Sequence, residues 1–144
     1  MKKILSLLCA IALTAIALFA NPLFAQNDYK YPYLNAGGEV LDSVGVKLGG
    51  ITPEGVIYNY KGEKVASVEE LELLDNTGRL LGKIGNKGTF YDARGIVVFT
   101  IEPNSKGEKC KVFNSKGKVV ATVHEGFKNQ VCAIYCLHKG MRKD

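Results

Sequence analysis

The stretch Ile57-Tyr-Asn59-Tyr-Lys-Gly62-Glu-Lys-Val65 decides how this chain folds, because its pattern recurs. Two apolar residues precede an Asn or Asp, two variable residues and a Gly follow, and an aliphatic residue comes three places later. The same frame reads Tyr33-Leu-Asn35-Ala-Gly-Gly38-Glu-Val-Leu41, Leu73-Leu-Asp75-Asn-Thr-Gly78-Arg-Leu-Leu81, Phe90-Tyr-Asp92-Ala-Arg-Gly95-Ile-Val-Val98 and Val112-Phe-Asn114-Ser-Lys-Gly117-Lys-Val-Val120. Each unit runs on to a further aliphatic residue: Val44, Val68, Ile84, Ile101 and Val123. A shorter echo, Ile134-Tyr-Cys-Leu-His-Lys-Gly140, lacks the Asn or Asp. An Asn or Asp at the first position of a type I turn accepts hydrogen bonds from backbone just downstream. A Gly three residues on supplies the positive φ that closes a hairpin through a bulge. The flanks are β-branched or aromatic, as in half-buried strands. Each unit is therefore a β-hairpin, and a lone hairpin cannot bury its apolar face.

The turn glycines are too closely spaced for four-stranded propeller blades and too irregular for a solenoid. A closed ring of five hairpins fits best, since closure removes exposed sheet edges. The spans from Gly45 to Gly55 and from Pro103 to Lys109 read as loops between units. Glu69 to Leu74 reads as strand in the repeat frame, although its apolar spacing also fits a helical turn. The position four residues after the turn Gly is small in three units (Ala66, Gly82, Ala121), which points to close approach of backbones.

The chain has 144 residues, 47% of them hydrophobic, a formal charge of +5 and 16 glycines. Residues 1–25 distort these figures. Lys2 and Lys3 precede an uncharged apolar run, Asn21-Pro22 breaks it, and Leu23-Phe24-Ala25 offers a small residue at a cut before Gln26. That is the pattern of a secretory signal peptide, so the expectation is export to the periplasm or cell surface. The run is at the short limit for a membrane span, and no other long apolar run follows. After residue 25 the chain carries 17 basic and 14 acidic residues, a net +3. The expected organisation is a signal peptide at 1–25, an arm at 26–32 rich in tyrosine, and one repeat domain at 33–144. This size excludes a multidomain enzyme.

Cys110, Cys132 and Cys136 follow the leader. Val131-Cys-Ala-Ile-Tyr-Cys136 reads as a strand, on which Cys132 and Cys136 stand about 13 Å apart, too far to bridge. In an oxidising compartment Cys110 would pair with one of the two; alternatively all three are buried thiols. Cys136 and His138, with His124 the only other His, fall short of the four ligands of a structural zinc site, and no metal or other cofactor is expected.

The residues resemble the five-fold β-flower proteins of gut Bacteroidetes, which carry repeated hydrophobic-aromatic-Asn/Asp-x-x-Gly hairpins behind a signal peptide. The resemblance covers roughly Tyr33 to Gly140. It implies an all-β ring of hairpin petals and brings no established activity, so no catalytic or binding residue follows from it.

No Ser-His-Asp spacing, phosphate loop or isolated carboxylate pair is present, and the expectation is a non-catalytic module. The rival reading is a small periplasmic enzyme with a site between petals around Cys110, Cys136 and His138 or His124. Glu69, Glu70 and Glu72 read as solvated surface. The residue before the turn Gly is Lys61, Arg94, Lys116 and Lys139 in four units. Cations gathered on one rim would attract an anionic glycan, lipid headgroups or another envelope component. Nucleic acid is not an expected partner, since no concentrated basic stripe exists. Tyr58, Tyr91 and Phe113 share one repeat position, suited to packing or to stacking on sugar rings. A homo-oligomer stacked through the ring face is a third reading; it calls for one contiguous exposed apolar patch.

Overall fold

The computed structural model describes residues 31–103 and 108–138. The expected leader, most of the arm, Lys139 and the end of the echo lie outside them. Eleven strands form a closed barrel in strict sequence order. They are β1 (Tyr33–Leu34), β2 (Glu39–Leu41), β3 (Lys47–Ile51), β4 (Val56–Asn59), β5 (Lys64–Glu69), β6 (Glu72–Asp75), β7 (Leu80–Ile84), β8 (Phe90–Asp92), β9 (Val97–Ile101), β10 (Lys109–Phe113) and β11 (Val119–His124). All neighbours are antiparallel except β1 and β11, which pair in parallel through Tyr33 with Thr122 and Leu34 with Val123. An odd number of alternating strands leaves first and last running the same way, so closure requires this one parallel seam. The fold class is therefore all-β, as the hairpin pattern implies.

Because the strands alternate, successive turns alternate between the two ends of the barrel. The turns at Asp42–Gly45, Asn59–Gly62, Asp75–Gly78, Asp92–Gly95 and Asn114–Gly117 share one end, called here the tip end. In each, the Asn or Asp Oδ1 accepts the backbone N–H groups two and four residues on, at 2.8–3.0 Å. The closing glycines have φ from +78° to +87°, and each hairpin carries a register shift at its bulge. A Cβ on Gly62, Gly78, Gly95 or Gly117 would meet nothing within 4 Å. These glycines are needed for backbone conformation and not for space.

The frame beginning at Tyr33 is out of phase with this end. Asn35–Gly38 makes the same kind of turn, but joins β1 to β2 at the opposite end. The matching tip turn is Asp42-Ser-Val-Gly45, inside Val40-Leu-Asp42-Ser-Val-Gly45-Val-Lys-Leu48. The span from Gly45 to Gly55, expected as a loop, therefore contains β3 and a second turn at Thr52–Gly55. Glu69 to Leu74, expected as strand, instead holds a chain reversal: β5 ends at Glu69, Glu70 and Leu71 form a two-residue turn at φ 50° and 67°, and β6 begins at Glu72. The span expected as a loop after Pro103 lies partly outside the described residues.

In four of the five hairpins the lumen sets a large residue against a small one; the exception is Phe90 against Phe99. Val40, Ile57, Leu73, Phe90 and Val112 are each 0% exposed. They pair across their hairpins with Gly49, Ala66, Gly82, Phe99 and Ala121. At Gly82 a Cβ would lie 2.5 Å from the Phe90 ring and 2.3 Å from the Tyr91 carbonyl oxygen, so only Gly admits that ring. The small positions make room for side chains within the barrel.

An eleven-strand barrel is wider than the eight-strand size that side chains alone fill. The remaining space is taken by helix α1 (Cys132–Leu137). It packs on β1 to β4, while Tyr135 reaches Phe90 of β8 at 5.1 Å and Phe99 of β9 at 6.4 Å between ring centroids. Those strands form opposite walls, so the helix runs inside the barrel. This corrects the strand expected at Val131–Cys136. The run Val131 to Ile134 is fully buried. It is apolar on every side because its surroundings are apolar on every side. A 3₁₀ segment, Glu125–Gln130, leads from β11 across the other end, setting Phe127 beside Gly38 and the Lys128 carbonyl beside Gly88. That end is the cap end. Among the described residues, no helix is long and apolar enough to cross a membrane.

Candidate functional site

The tip end concentrates cations. Lys61, Arg94 and Lys116 all lie in tip turns, as the sequence frame anticipates for a shared rim, and Lys47, Lys64, Arg79 and Lys118 join them just past the closing glycines. Of nine glutamates, only Glu63 is at this end. Glu54, Glu69, Glu70, Glu72, Glu102, Glu108 and Glu125 occupy connections or strand ends at the cap end, beside Lys83, Lys87, Lys109 and Lys128, while Glu39 reaches across from β2 to pair with Lys47 Nζ at 3.2 Å. The acidic residues built into the tip turns are occupied by the backbone. A hydrogen bond from the Thr77 hydroxyl, then the Arg79 N–H, hold the Asp75 carboxyl down to about 2. The Ile96 and Arg94 N–H groups likewise lower Asp92. These aspartates stay ionised, with Oδ1 saturated by turn donors. The barrel thus carries a charge gradient along its axis, positive at the tips.

Exposed aliphatic and aromatic groups follow the same gradient. Val44 (75% exposed), Val46, Tyr60 and Ile96 project from tip turns, whereas among the described residues Leu71 alone of the exposed large apolar residues is at the cap end. Lys61 Nζ lies 5.8 Å from the Tyr60 ring centroid.

Between the Asp92–Gly95 and Asn114–Gly117 turns opens a cavity of about 350 Å³. Its rim carries Arg94, Ser115 and Lys116, and Phe99 and Tyr135 line its depth. A second cavity of similar size, lined by Lys87, Glu102, Pro103 and Lys128, lies at the cap end.

The other expected residues are placed differently. Tyr58, Tyr91 and Phe113 alternate with the lumen residues and so lie half-buried on the outer wall. Tyr58 covers Gly50, where a Cβ would fall 2.4 Å from its hydroxyl, and Lys47 Nζ sits 5.6 Å from its ring centroid. The three rings are spread around the wall and form no common platform. Cys110, Cys132 and Cys136 are present as thiols, without the bridge from Cys110 to Cys132 or Cys136. On a helix Cys132 and Cys136 stand one turn apart, near 6 Å, and not the 13 Å of a strand. Burial and the neighbouring Cys136 push the Cys132 thiol far up, so it is inert as a nucleophile. His124 caps the 3₁₀ segment, its Nδ1 accepting from Gly126 N–H at 3.1 Å. Neither cavity contains Cys110, Cys136, His138 or His124. Among the described residues, no group of three or more His, Cys, Asp or Glu could hold a metal ion.

The sequence frame misses Tyr135 and Phe99, which line the cavity. Their position depends on α1 entering the lumen, and no spacing along the chain encodes that. Comparison with known proteins finds no matching family model, no matching curated protein and no matching solved structure.

Proposed function

We propose that this chain is an exported, non-catalytic binding module of the cell envelope, a ring of five hairpins of the β-flower kind, which engages an anionic glycan or lipid surface through its tip end. The observation carrying this reading is the axial segregation of charge, with cations at the tips and seven of nine glutamates at the cap end. Such a gradient orients approach to an anionic surface and strengthens attachment at low salt. Exposed Val44, Val46, Tyr60 and Ile96 add apolar contact at the same end. The five tip turns of one chemistry support the ring reading, and the composition of residues 1–25 supports export. Stacking of two tip ends in a homo-oligomer is disfavoured, because like charges would face each other.

The test reverses Lys61, Arg94 and Lys116 to Glu together. Each basic residue near an anionic surface contributes about 1 kcal/mol. Binding to acidic polysaccharide or to anionic vesicles should therefore fall by about a thousandfold or more. Unchanged binding to both would remove the proposal.

A further inference from the structure

The cavity between the β8–β9 and β10–β11 turns has a chemistry of its own. Asp92 Oδ1 accepts the Arg94 and Ile96 N–H groups at 2.9 and 3.0 Å, and its Oδ2 faces the Arg94 guanidinium at 3.4 Å. Asn114 Oδ1 accepts the Lys116 and Lys118 N–H groups at 3.0 Å each. The Oδ1 of each turn is thus committed to backbone, and Asp92 Oδ2 to one nitrogen of Arg94. Donors remain: Asn114 Nδ2, the Ser115 hydroxyl, Lys116 Nζ, and the rest of the Arg94 guanidinium, whose side chain is 80% exposed. Below them lies the half-buried Tyr135 ring, with the buried Phe99 ring edge-on behind it. A volume of about 350 Å³ is within the range of small-ligand sites and admits one ring-sized unit.

Cationic and neutral donors around an aromatic floor select a ligand unit with a ring face and an acceptor-only anionic group. A phosphate headgroup meets the donors but leaves the floor unused. We propose that this cavity holds one hexuronate residue of an acidic polysaccharide, its sugar ring against the half-buried Tyr135 and its carboxylate between Arg94 and Lys116. This rests on the anionic-surface reading above and specifies its ligand class.

The test uses the chain expressed with its own leader and titrates trigalacturonate, with neutral trigalactose as control, by amide NMR. Two exposed-site variants are compared, R94A/K116A at the cavity and K61A/K64A across the tip end. The expected result is shifts confined to Val98, Ser115, Tyr135 and their neighbours, with none from trigalactose. R94A/K116A should weaken trigalacturonate about thirtyfold or more, and K61A/K64A less than about threefold, since charge-assisted contacts are positional. Equal weakening by the two variants would overturn the cavity and leave the rim reading standing. Equal binding of trigalactose would overturn the anionic requirement. Binding to phosphatidylglycerol vesicles with no trigalacturonate shift would overturn the sugar site and assign the rim to lipid. Failure to bind polygalacturonate and anionic vesicles alike would remove both readings.

Discussion

Replacing Ile134 by Ala tests whether α1 belongs to the barrel core. Ile134 is 0% exposed, on a helix between opposite walls. The substitution deletes three carbon groups at about 0.8 kcal/mol each, roughly 2.4 kcal/mol of transfer free energy. The walls form a closed hydrogen-bonded ring and cannot collapse freely into the gap, so a cavity contribution adds to this. The expected loss is about 3–4 kcal/mol, in the upper half of the range for such changes. That is a large share of the 5–15 kcal/mol of a typical domain. Urea unfolding should show a lower midpoint at unchanged slope, and the melting temperature should drop by about 12–16 °C. Leu71→Ala, at a site 56% exposed, serves as control and should stay within about 0.5 kcal/mol. A loss under about 1 kcal/mol for Ile134→Ala would mean that the helix does not fill the lumen, and the argument for an occupied barrel would fail.

Gly82→Ala should destabilise by about 3 kcal/mol, since its Cβ meets the Tyr91 carbonyl and the Phe90 ring; Gly62→Ala, strained only in φ, should cost about 1–2 kcal/mol by the same urea assay. Asp75 and Asp92 have folded-state pKa values below the unfolded one, so the stability they contribute is present at neutral pH and is lost as pH falls from about 4 towards 2. Asp75→Asn with Asp92→Asn keeps an accepting Oδ1, as at Asn59 and Asn114, and should flatten the melting temperature over that window; an unaltered acid limb would contradict the assignment. Glu70→Asn with Leu71→Gly should stabilise by about 1–2 kcal/mol in urea, because both positions hold positive φ with residues that disfavour it.

The parts legible in the sequence are those fixed by local chemistry. Asn59, Asp75, Asp92 and Asn114, each followed by Gly after two residues, announce their turns, because an Asx side chain and a left-handed Gly leave little choice of conformation. The same chemistry at Asn35 misleads the phase: a local motif specifies a turn but not which end of the barrel it occupies. Asp42–Gly45 was equally readable, yet it overlaps the frame begun at Tyr33. The segment Val131–Cys136 misleads for a different reason. Six apolar residues are too short to separate a period of two from 3.6, and burial on all sides erases the polar face that marks a surface helix. The cationic tips at Lys61, Arg94 and Lys116 could be anticipated from their shared repeat position. The cavity could not, because Tyr135 reaches it only through the helix in the lumen.

The decisive measurement is the orientation of the barrel on a polyanion. Environment-sensitive fluorophores placed separately at Val44 and Glu54 mark the tip end and the cap end, both exposed in the isolated chain. On immobilised polygalacturonate or anionic vesicles, attachment through the tips gives a blue shift from the label at 44 alone, reversed by high salt as screening removes the attraction. A shift from the label at 54, or equal shifts from both, would contradict a binding surface at the tips.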